Sequence, residues 1–114
     1  MIVSNHGGRA FDSAVATVDM LPEVVEAVGD RCTVILDSGI RRGSDIVKAL
    51  GLGAKMVLVG RATLYGTACG GQAGAARAIQ ILKGEMERSF GYVGARRVSE
   101  IGPHIFAHRD SREK

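Results

Sequence analysis

Residues 33–61 read TVILDSGIRRGSDIVKALGLGAKMVLVGR, in which two apolar runs flank a polar stretch bounded by glycines. The runs Thr33–Leu36 and Met56–Val59 are continuous and aliphatic, which is typical of strands that are buried on both faces. The intervening SDIVKAL predicts a short helix with Ser44 as its N-cap and Gly51 near its end. A strand, a helix and a second strand in this order predict two parallel strands joined by a right-handed connection.

The same alternation continues on both sides of this segment. An opening strand, Met1–Ser4, is followed by a polar loop and by TVDMLPEVVEAVGD, whose apolar residues repeat at helical spacing. After a glycine-rich loop, residues 73–94 read as a long amphipathic helix. Its apolar stripe comprises Ala75, Ile79, Leu82, Met86, Phe90 and Val93. The order β-α-β-α-β-α predicts an α/β fold with a parallel sheet, belonging either to a (β/α) barrel or to a doubly wound sheet.

The composition is that of one small globular domain. The chain has 114 residues, of which 46% are hydrophobic and 24% charged. Its net charge of +3 is too small to indicate a nucleic-acid partner. Because no apolar run approaches the roughly 18 residues of a membrane span and no signal peptide is visible, we expect a cytoplasmic protein. Cys32 and Cys69 lack metal-binding spacing, so we expect free thiols and no metal site.

A polar, glycine-containing motif follows each of the three predicted strands. The motifs are, in chain order, SNHGGR, DSGIRRGSD and GRATLYG. The carboxyl ends of parallel strands meet at one edge of a sheet, which is where α/β proteins bind their ligands. We therefore expect the three motifs to lie on the same face of the molecule.

The second and third motifs suit a phosphate group. Gly39 and Gly43 allow backbone N–H groups to approach a ligand, and the following helix contributes its positive N-terminal end. The Arg41 guanidinium can donate two hydrogen bonds to phosphate oxygens. A helix cap with exposed arginines explains the second motif alone equally well. Gly60 and Arg61 add a second group of donors on the same face, so we favour phosphate binding.

His6 and Arg9 of the first motif are the candidate reactive pair. A neutral imidazole can take up a proton, and an arginine three residues away can bind a carboxylate through two hydrogen bonds. From the residues alone, a structural role for His6 is equally plausible. Asp37 either orients its turn or contacts a ligand hydroxyl. We expect His104 and His108 to be surface residues.

Together these motifs resemble the family of FMN-dependent α-hydroxy-acid dehydrogenases and oxidases. SNHGGR, followed by Asp12, resembles the active-site signature of that family, and DSGIRRGSDIVKALGLGA and VLVGRATLYG resemble its flavin-phosphate segments. The Asp-Ser-Gly form is more similar to mandelate dehydrogenases, and lactate dehydrogenases also belong to the family. The resemblance implies the C-terminal part, about the last three βα units, of a TIM (β/α)8 barrel. Residues 1–94 would form this partial barrel and residues 95–114 a C-terminal tail.

The resemblance also implies a role for each motif. His6 would be the catalytic base and Arg9 would bind the substrate carboxylate. The residues that would hold the FMN cofactor are Asp37, Ser38, Gly39, Arg41, Gly60 and Arg61. The implied reaction is the FMN-dependent oxidation of a small (S)-2-hydroxy acid, such as mandelate or lactate, to the 2-oxo acid.

The chain is much shorter than a family barrel, which has eight strands and about 250 residues. Three strands alone would leave sheet edges and the apolar inner layer of a barrel exposed, so we expect the chain to be inactive alone. We expect full-length relatives to be homo-oligomers, and we expect any attachment to a membrane to occur through regions outside this chain. The alternatives are a non-catalytic phosphate- or FMN-binding half barrel, or part of another FMN barrel such as type 2 isopentenyl-diphosphate isomerase.

Overall fold

A parallel sheet with helices on one side forms the centre of the molecule. The computed structural model describes residues 1–107, so residues 108–114, including His108, lie outside the described part. The strands, paired in chain order, are β1 (Ile2–Val3), β2 (Ile35–Leu36) and β3 (Met56–Val57). The helices are α1 (Thr17–Val28), α2 (Gly43–Gly51) and α3 (Arg61–Val93). The predicted α/β order and the parallel pairing are therefore confirmed.

The two faces of the sheet differ in burial. The register gives two rows of side chains, Ile2–Ile35–Met56 and Val3–Leu36–Val57, which point to opposite faces. Leu36 is 1% exposed on the helix-covered face, whereas Ile2 and Met56 remain 54% and 57% exposed on the other. The prediction that the strand at Met56–Val59 is buried on both faces is therefore wrong, and the expected exposure of one apolar sheet face is confirmed.

The hydrophobic core lies between the sheet and helices α1 and α2. Its buried cluster comprises Leu21, Val34, Leu36, Ile40, Ala49 and Ala54. Leu21 is 0% exposed, and full burial of a leucine side chain contributes about 1.5–3 kcal/mol. This core fixes the strands from one side and leaves their carboxyl ends free to carry loops.

Helix α3 begins twelve residues before the helix predicted from residue 73. It is interrupted at Gly70 and Gly71, whose backbone angles are not helical, so that it has two arms, residues 61–69 and 72–93. The arms touch where Gly66 meets Gly74, because a Cβ on either glycine would overlap the backbone of the other. The prediction of a glycine-rich loop after β3 is therefore wrong. The glycines allow two helical arms to pack backbone against backbone.

The segment after α3 packs back onto α2. It contains two 3-10 turns, Val98–Glu100 and Pro103–Ile105. A Cβ on Gly51 would lie only 2.7 Å from Ile105 Cδ1 and 2.9 Å from Phe106 Cε2. The glycine at the end of α2 therefore makes room for these two side chains. Within residues 1–107 no helix has a run of apolar residues long enough to span a bilayer.

Candidate functional site

The carboxyl ends of the three strands lie side by side. The Asp37 N–H donates to Val3 O over 2.8 Å, and the Leu58 N–H donates to Leu36 O over 2.8 Å. These bonds continue the parallel register past each strand, so the three motifs start at one edge of the sheet. The structure brings the motifs together as predicted.

His6 lies in a 3-10 turn, His6–Gly8, directly after β1, and residues 5–8 are called the His6 loop. The φ angles are 56° at His6, 67° at Gly7 and 72° at Gly8, all in the left-handed region. Glycine adopts this conformation freely, but a residue with a side chain there is strained by about 1–3 kcal/mol. The His6 loop therefore needs contacts that hold His6 in place.

The side chains of His6 and Arg9 are in direct contact. Arg9 Nε–H donates a hydrogen bond to His6 Nε2 over 3.0 Å, and both residues are exposed. An imidazole nitrogen that accepts a hydrogen bond carries a lone pair, so Nε2 is the basic nitrogen of the ring. A carboxylate bound by Arg9 would consequently lie beside a base.

The Ser38 hydroxyl supports the His6 loop from the end of β2. Its Oγ accepts hydrogen bonds from the Gly7 N–H at 3.0 Å and the Asn5 N–H at 3.4 Å. The same hydroxyl donates to Asp37 Oδ2 over 3.1 Å. Ser38 itself has a φ of 79°, the second non-glycine residue in the left-handed region within residues 1–107. The turn after β2 and the His6 loop therefore form one hydrogen-bonded unit.

Asp37 connects a second hydroxyl to the same loop. Ser4 Oγ donates a hydrogen bond to Asp37 Oδ2 and accepts one from the His6 N–H over 3.2 Å. The hydrogen bond from Ser4 lowers the pKa of the Asp37 carboxyl, against an opposing effect of burial, and the bond from Ser38 lowers it further. An ionised Asp37 can accept hydrogen bonds from both hydroxyls, which leaves the oxygens of the two serines free to accept hydrogen bonds from the loop.

Ser4 and Asn5 lie in the first predicted motif but were assigned no role of their own, and Thr17 was not predicted from the sequence. Thr17 is 7% exposed and its Oγ1 donates to Asp37 O over 2.8 Å, which fixes the turn after β2. Asn5 Oδ1 accepts the Gly8 N–H at 3.1 Å and closes the turn. A parallel register drawn between the first two strands would have placed Ser4 beside Asp37. Nothing in the sequence pattern places Thr17 near it.

The side chain of Arg61 reaches the His6 loop. Its Nη1 donates to Gly7 O over 2.9 Å, and a Cβ on Gly7 would lie 2.8 Å from the same atom. The guanidinium therefore needs a glycine at position 7. The structure places this side chain on the loop, and the backbone N–H of Arg61 lies in the first turn of α3.

The N-terminus of α2 is occupied by two carboxylates of the chain itself. Asp45 Oδ2 accepts the Arg41 and Arg42 N–H groups at 3.1 and 2.9 Å, and Glu85 Oε2 accepts the Gly43 N–H at 2.8 Å. The N-cap is Arg42 rather than the predicted Ser44. The expectation that this helix end offers free N–H groups to a phosphate is therefore corrected.

Glu85 ties α2 to α3. It forms an ion pair with Arg42, with Nη2 and Oε1 2.9 Å apart, and the hydrogen bond from Arg42 lowers the pKa of Glu85. A Cβ on Gly43 would overlap the backbone of Glu85 and Met86. Gly43 is thus required for the contact between the two helices rather than for a ligand.

The backbone donors that remain open lie at Gly39 and at the start of α3. A Cβ on Gly39 or Gly60 would meet no atom within 4 Å, so a ligand could approach the backbone at both glycines. No side chain of residues 1–107 caps the first turn of α3. The Arg41 side chain is exposed and takes part in no ion pair among the described residues. These donors suit a phosphate group. In residues 1–107 no three metal-ligating side chains come together.

Known proteins share both the sequence and the fold. The model of the family FMN-dependent dehydrogenase matches residues 1–108. An FMN-dependent alpha-hydroxy acid dehydrogenase of Penicillium citrinum is 50% identical over 100 residues, which are 88% of this chain and 25% of that protein. An L-lactate oxidase of Nostoc sp. is 48% identical over 101 residues, 89% of this chain and 28% of that protein.

A solved structure extends this likeness to three dimensions. A soluble mutant of the membrane-associated (S)-mandelate dehydrogenase from Pseudomonas putida superposes with a TM-score of 0.86 at 44% identity, over 91% of this chain and 29% of that one. The predicted fold, part of a (β/α)8 barrel, is thereby confirmed. The chain spans 25–29% of the length of these three proteins.

Proposed function

Since the chain belongs to the family of FMN-dependent dehydrogenases, we propose that it supplies the base, the carboxylate-binding arginine and the phosphate-binding backbone of an enzyme that oxidises (S)-2-hydroxy acids to 2-oxo acids. The contact between Arg9 Nε and His6 Nε2, at 3.0 Å, carries this proposal. In a 2-hydroxy acid the carboxylate is attached to the carbon that is oxidised. A base beside a carboxylate-binding arginine is what this substrate class requires.

His6 and Arg9 act on the substrate in sequence. The Arg9 guanidinium binds the carboxylate, which replaces the hydrogen bond between Arg9 and His6. The lone pair of His6 Nε2 then faces the substrate, and Nε2 takes up a proton from the substrate. The Arg9 guanidinium stays bound to the carboxylate throughout the reaction and thereby fixes the orientation of the carbon that is oxidised.

The FMN phosphate would lie against the open donors at the sheet edge. We assign it to the backbone at Gly39, the first turn of α3 at Gly60 and Arg61, and the Arg41 guanidinium. Asp37 and Ser38 directly precede Gly39 in the chain, and their side chains support the His6 loop. When bound, FMN would accept the two electrons and the second of the two protons that leave the substrate.

The substrate is proposed to be a small (S)-2-hydroxy acid of the mandelate or lactate type. The names of the relatives specify alpha-hydroxy acids, lactate and mandelate. None of the groups assigned above is assigned to the side chain of the substrate. His6 and Arg9 therefore define the reacting end of the substrate and leave its other end open.

Binding of FMN compared with riboflavin tests the phosphate assignment, because riboflavin lacks only the phosphate. We expect FMN to bind the 114-residue chain more tightly than riboflavin in a fluorescence titration, and Arg41→Gln to remove the difference. Arg77→Gln, which replaces an exposed arginine on α3, is the control and should leave it unchanged. Equal affinities for the two flavins would contradict the proposal.

A further inference from the structure

We propose that Ser38 is a positioning residue, whose hydroxyl holds the His6 loop in the conformation that presents the imidazole. This inference rests on the proposed function, in which His6 is the base. Three features of the molecule support it: the proton of the hydroxyl, the backbone of Ser38 and the other supports of the loop.

The Ser38 hydroxyl has one proton, and that proton is used. It is donated to Asp37 Oδ2 over 3.1 Å, so the oxygen presents its lone pairs to other donors. Those lone pairs accept the Gly7 N–H at 3.0 Å and the Asn5 N–H at 3.4 Å. The two amides flank His6 on either side. The ionised Asp37 therefore orients the hydroxyl, and the hydroxyl orients the loop.

The backbone of Ser38 is strained, and a glycine would relieve it. At a φ of 79° a side chain is disfavoured, whereas glycine adopts this angle freely. The neighbouring Gly39 has a φ of 77° and carries no side chain. The three hydrogen bonds of the Ser38 hydroxyl offset the strain at this position, together with the bond from Thr17 Oγ1 to Ser38 O at 3.3 Å.

The other supports of the loop do not replace these bonds. Among residues 1–107, Ser4 Oγ accepts only the His6 N–H and Arg61 Nη1 donates only to Gly7 O, while Asn5 Nδ2 donates to Val15 O over 3.1 Å. Removal of the Ser38 hydroxyl leaves the Asn5 and Gly7 amides without an acceptor among residues 1–107. The loop would then be held by its neighbours but would lose its left-handed geometry around His6.

Two variants separate the hydroxyl from the strain. Ser38→Gly removes both, and Ser38→Ala removes the hydroxyl but keeps a side chain at positive φ. Ser89→Ala is the matched control, because its hydroxyl donates to Glu85 O within α3, away from the loop. The measurements are the solvent exchange of the Asn5 and Gly7 amides, the His6 ring proton resonances and the urea midpoint, all on the chain without FMN.

We expect the Gly7 amide to exchange about two- to tenfold faster in both Ser38 variants and the His6 ring resonances to move, while Ser89→Ala changes neither. The urea midpoint of Ser38→Gly should stay at the wild-type value, because relief of strain offsets the lost bonds. Unchanged exchange in Ser38→Gly would overturn the proposal. Faster exchange of the Gly7 amide in Ser38→Ala alone would also overturn it. The same holds for amide exchange that rises uniformly throughout the chain together with a lowered urea midpoint. Since no flavin is present, these outcomes are independent of the FMN titration.

Discussion

Asp37 accepts hydrogen bonds from two serine hydroxyls at one carboxylate oxygen, Oδ2. These bonds favour the ionised form and lower its pKa in the folded chain relative to the unfolded one. A carboxylate of this kind stabilises the fold above its ordinary pKa, about 3.9, and the contribution is lost as the pH falls through the lowered value. The support of the His6 loop is therefore strong at neutral pH and lost in acid.

The first prediction concerns this pH dependence. The free energy of unfolding of the wild-type chain should decline below about pH 4, and Asp37→Asn should reduce that decline by removing the titrating group. Urea denaturation at several pH values between about 3 and 7 measures the effect. Asp30→Asn, at an exposed site after α1, serves as the control and should follow the wild-type curve. An unchanged acid decline in Asp37→Asn would argue against this role.

The second prediction concerns Arg9. Replacement by glutamine removes the charged guanidinium with its paired N–H donors, so binding of (S)-mandelate or (S)-lactate should weaken by about tenfold or more. The His6 ring resonances report binding in an NMR titration of both chains, because the proposed binding position places the acid beside the imidazole. A variant at Arg77 is the control. If Arg9→Gln binds these acids as tightly as the wild type, the carboxylate assignment fails.

At the level of helices and strands, the one-sided core predicts unequal effects of similar substitutions. Leu36→Ala on β2 removes a side chain that is 1% exposed, and should cost about 2–5 kcal/mol. Met56→Ala on the neighbouring β3 removes one that is 57% exposed, and should cost less than about 1 kcal/mol. Urea denaturation of the two variants measures both values. Equal losses would mean that the second face is also covered.

Two glycines in helices give a further matched pair. Gly43→Ala should destabilise the chain by about 1–3 kcal/mol, because the new methyl group would overlap the backbone of Glu85 and Met86. In Gly84→Ala the new methyl group on α3 would meet only Arg88 Nη1, at 3.6 Å. This substitution should stabilise the folded chain by about 0.5–1 kcal/mol. Thermal melts of the two variants give the sign of each change. Stabilisation by both would contradict the close approach of α2 and α3.

Periodicity and glycine positions were sufficient to predict the order of strands and helices. They predicted the ends of α1 and α2 to within a few residues of the observed ends, because each helix has an apolar stripe or turn residues at its ends. The first arm of α3 was missed because its glycines resemble those of a loop, and only the contact between Gly66 and Gly74 explains them. The N-cap of α2 was misplaced because Asp45 and Glu85, rather than Ser44, satisfy the N–H groups.

For the candidate site, the sequence predicted the motifs and their common edge, but not the bonds between them. His6 and Arg9 are three residues apart in the chain, so their contact could be anticipated. The bonds of Ser38 and Arg61 to Gly7 span 31 and 54 residues. Such contacts depend on strand register, which becomes known only when the sheet is assembled.

For the molecule as a whole, the exposed sheet face predicts that binding groups alone are not sufficient for turnover. Met56 and Leu58 remain 57% and 41% exposed, so water reaches the face beside the reactive loop. Exclusion of water strengthens the electrostatic interactions of a catalytic site and protects its intermediates, and this open face does not provide it. We therefore expect no oxidation of (S)-mandelate or (S)-lactate by the purified 114-residue chain with added FMN. Detectable formation of the 2-oxo acid in this assay would refute the expectation.

Three supports of the His6 loop come from the ends of three different strands, since Ser4 follows β1, Ser38 follows β2 and Arg61 follows β3. During folding these groups can meet only after all three strands have paired, and closing a loop of 54 residues costs chain entropy before any bond is formed. The reactive geometry is therefore among the last features to form as the chain folds. A partly folded intermediate in which only β1 and β2 have paired would possess the histidine without the support of Arg61.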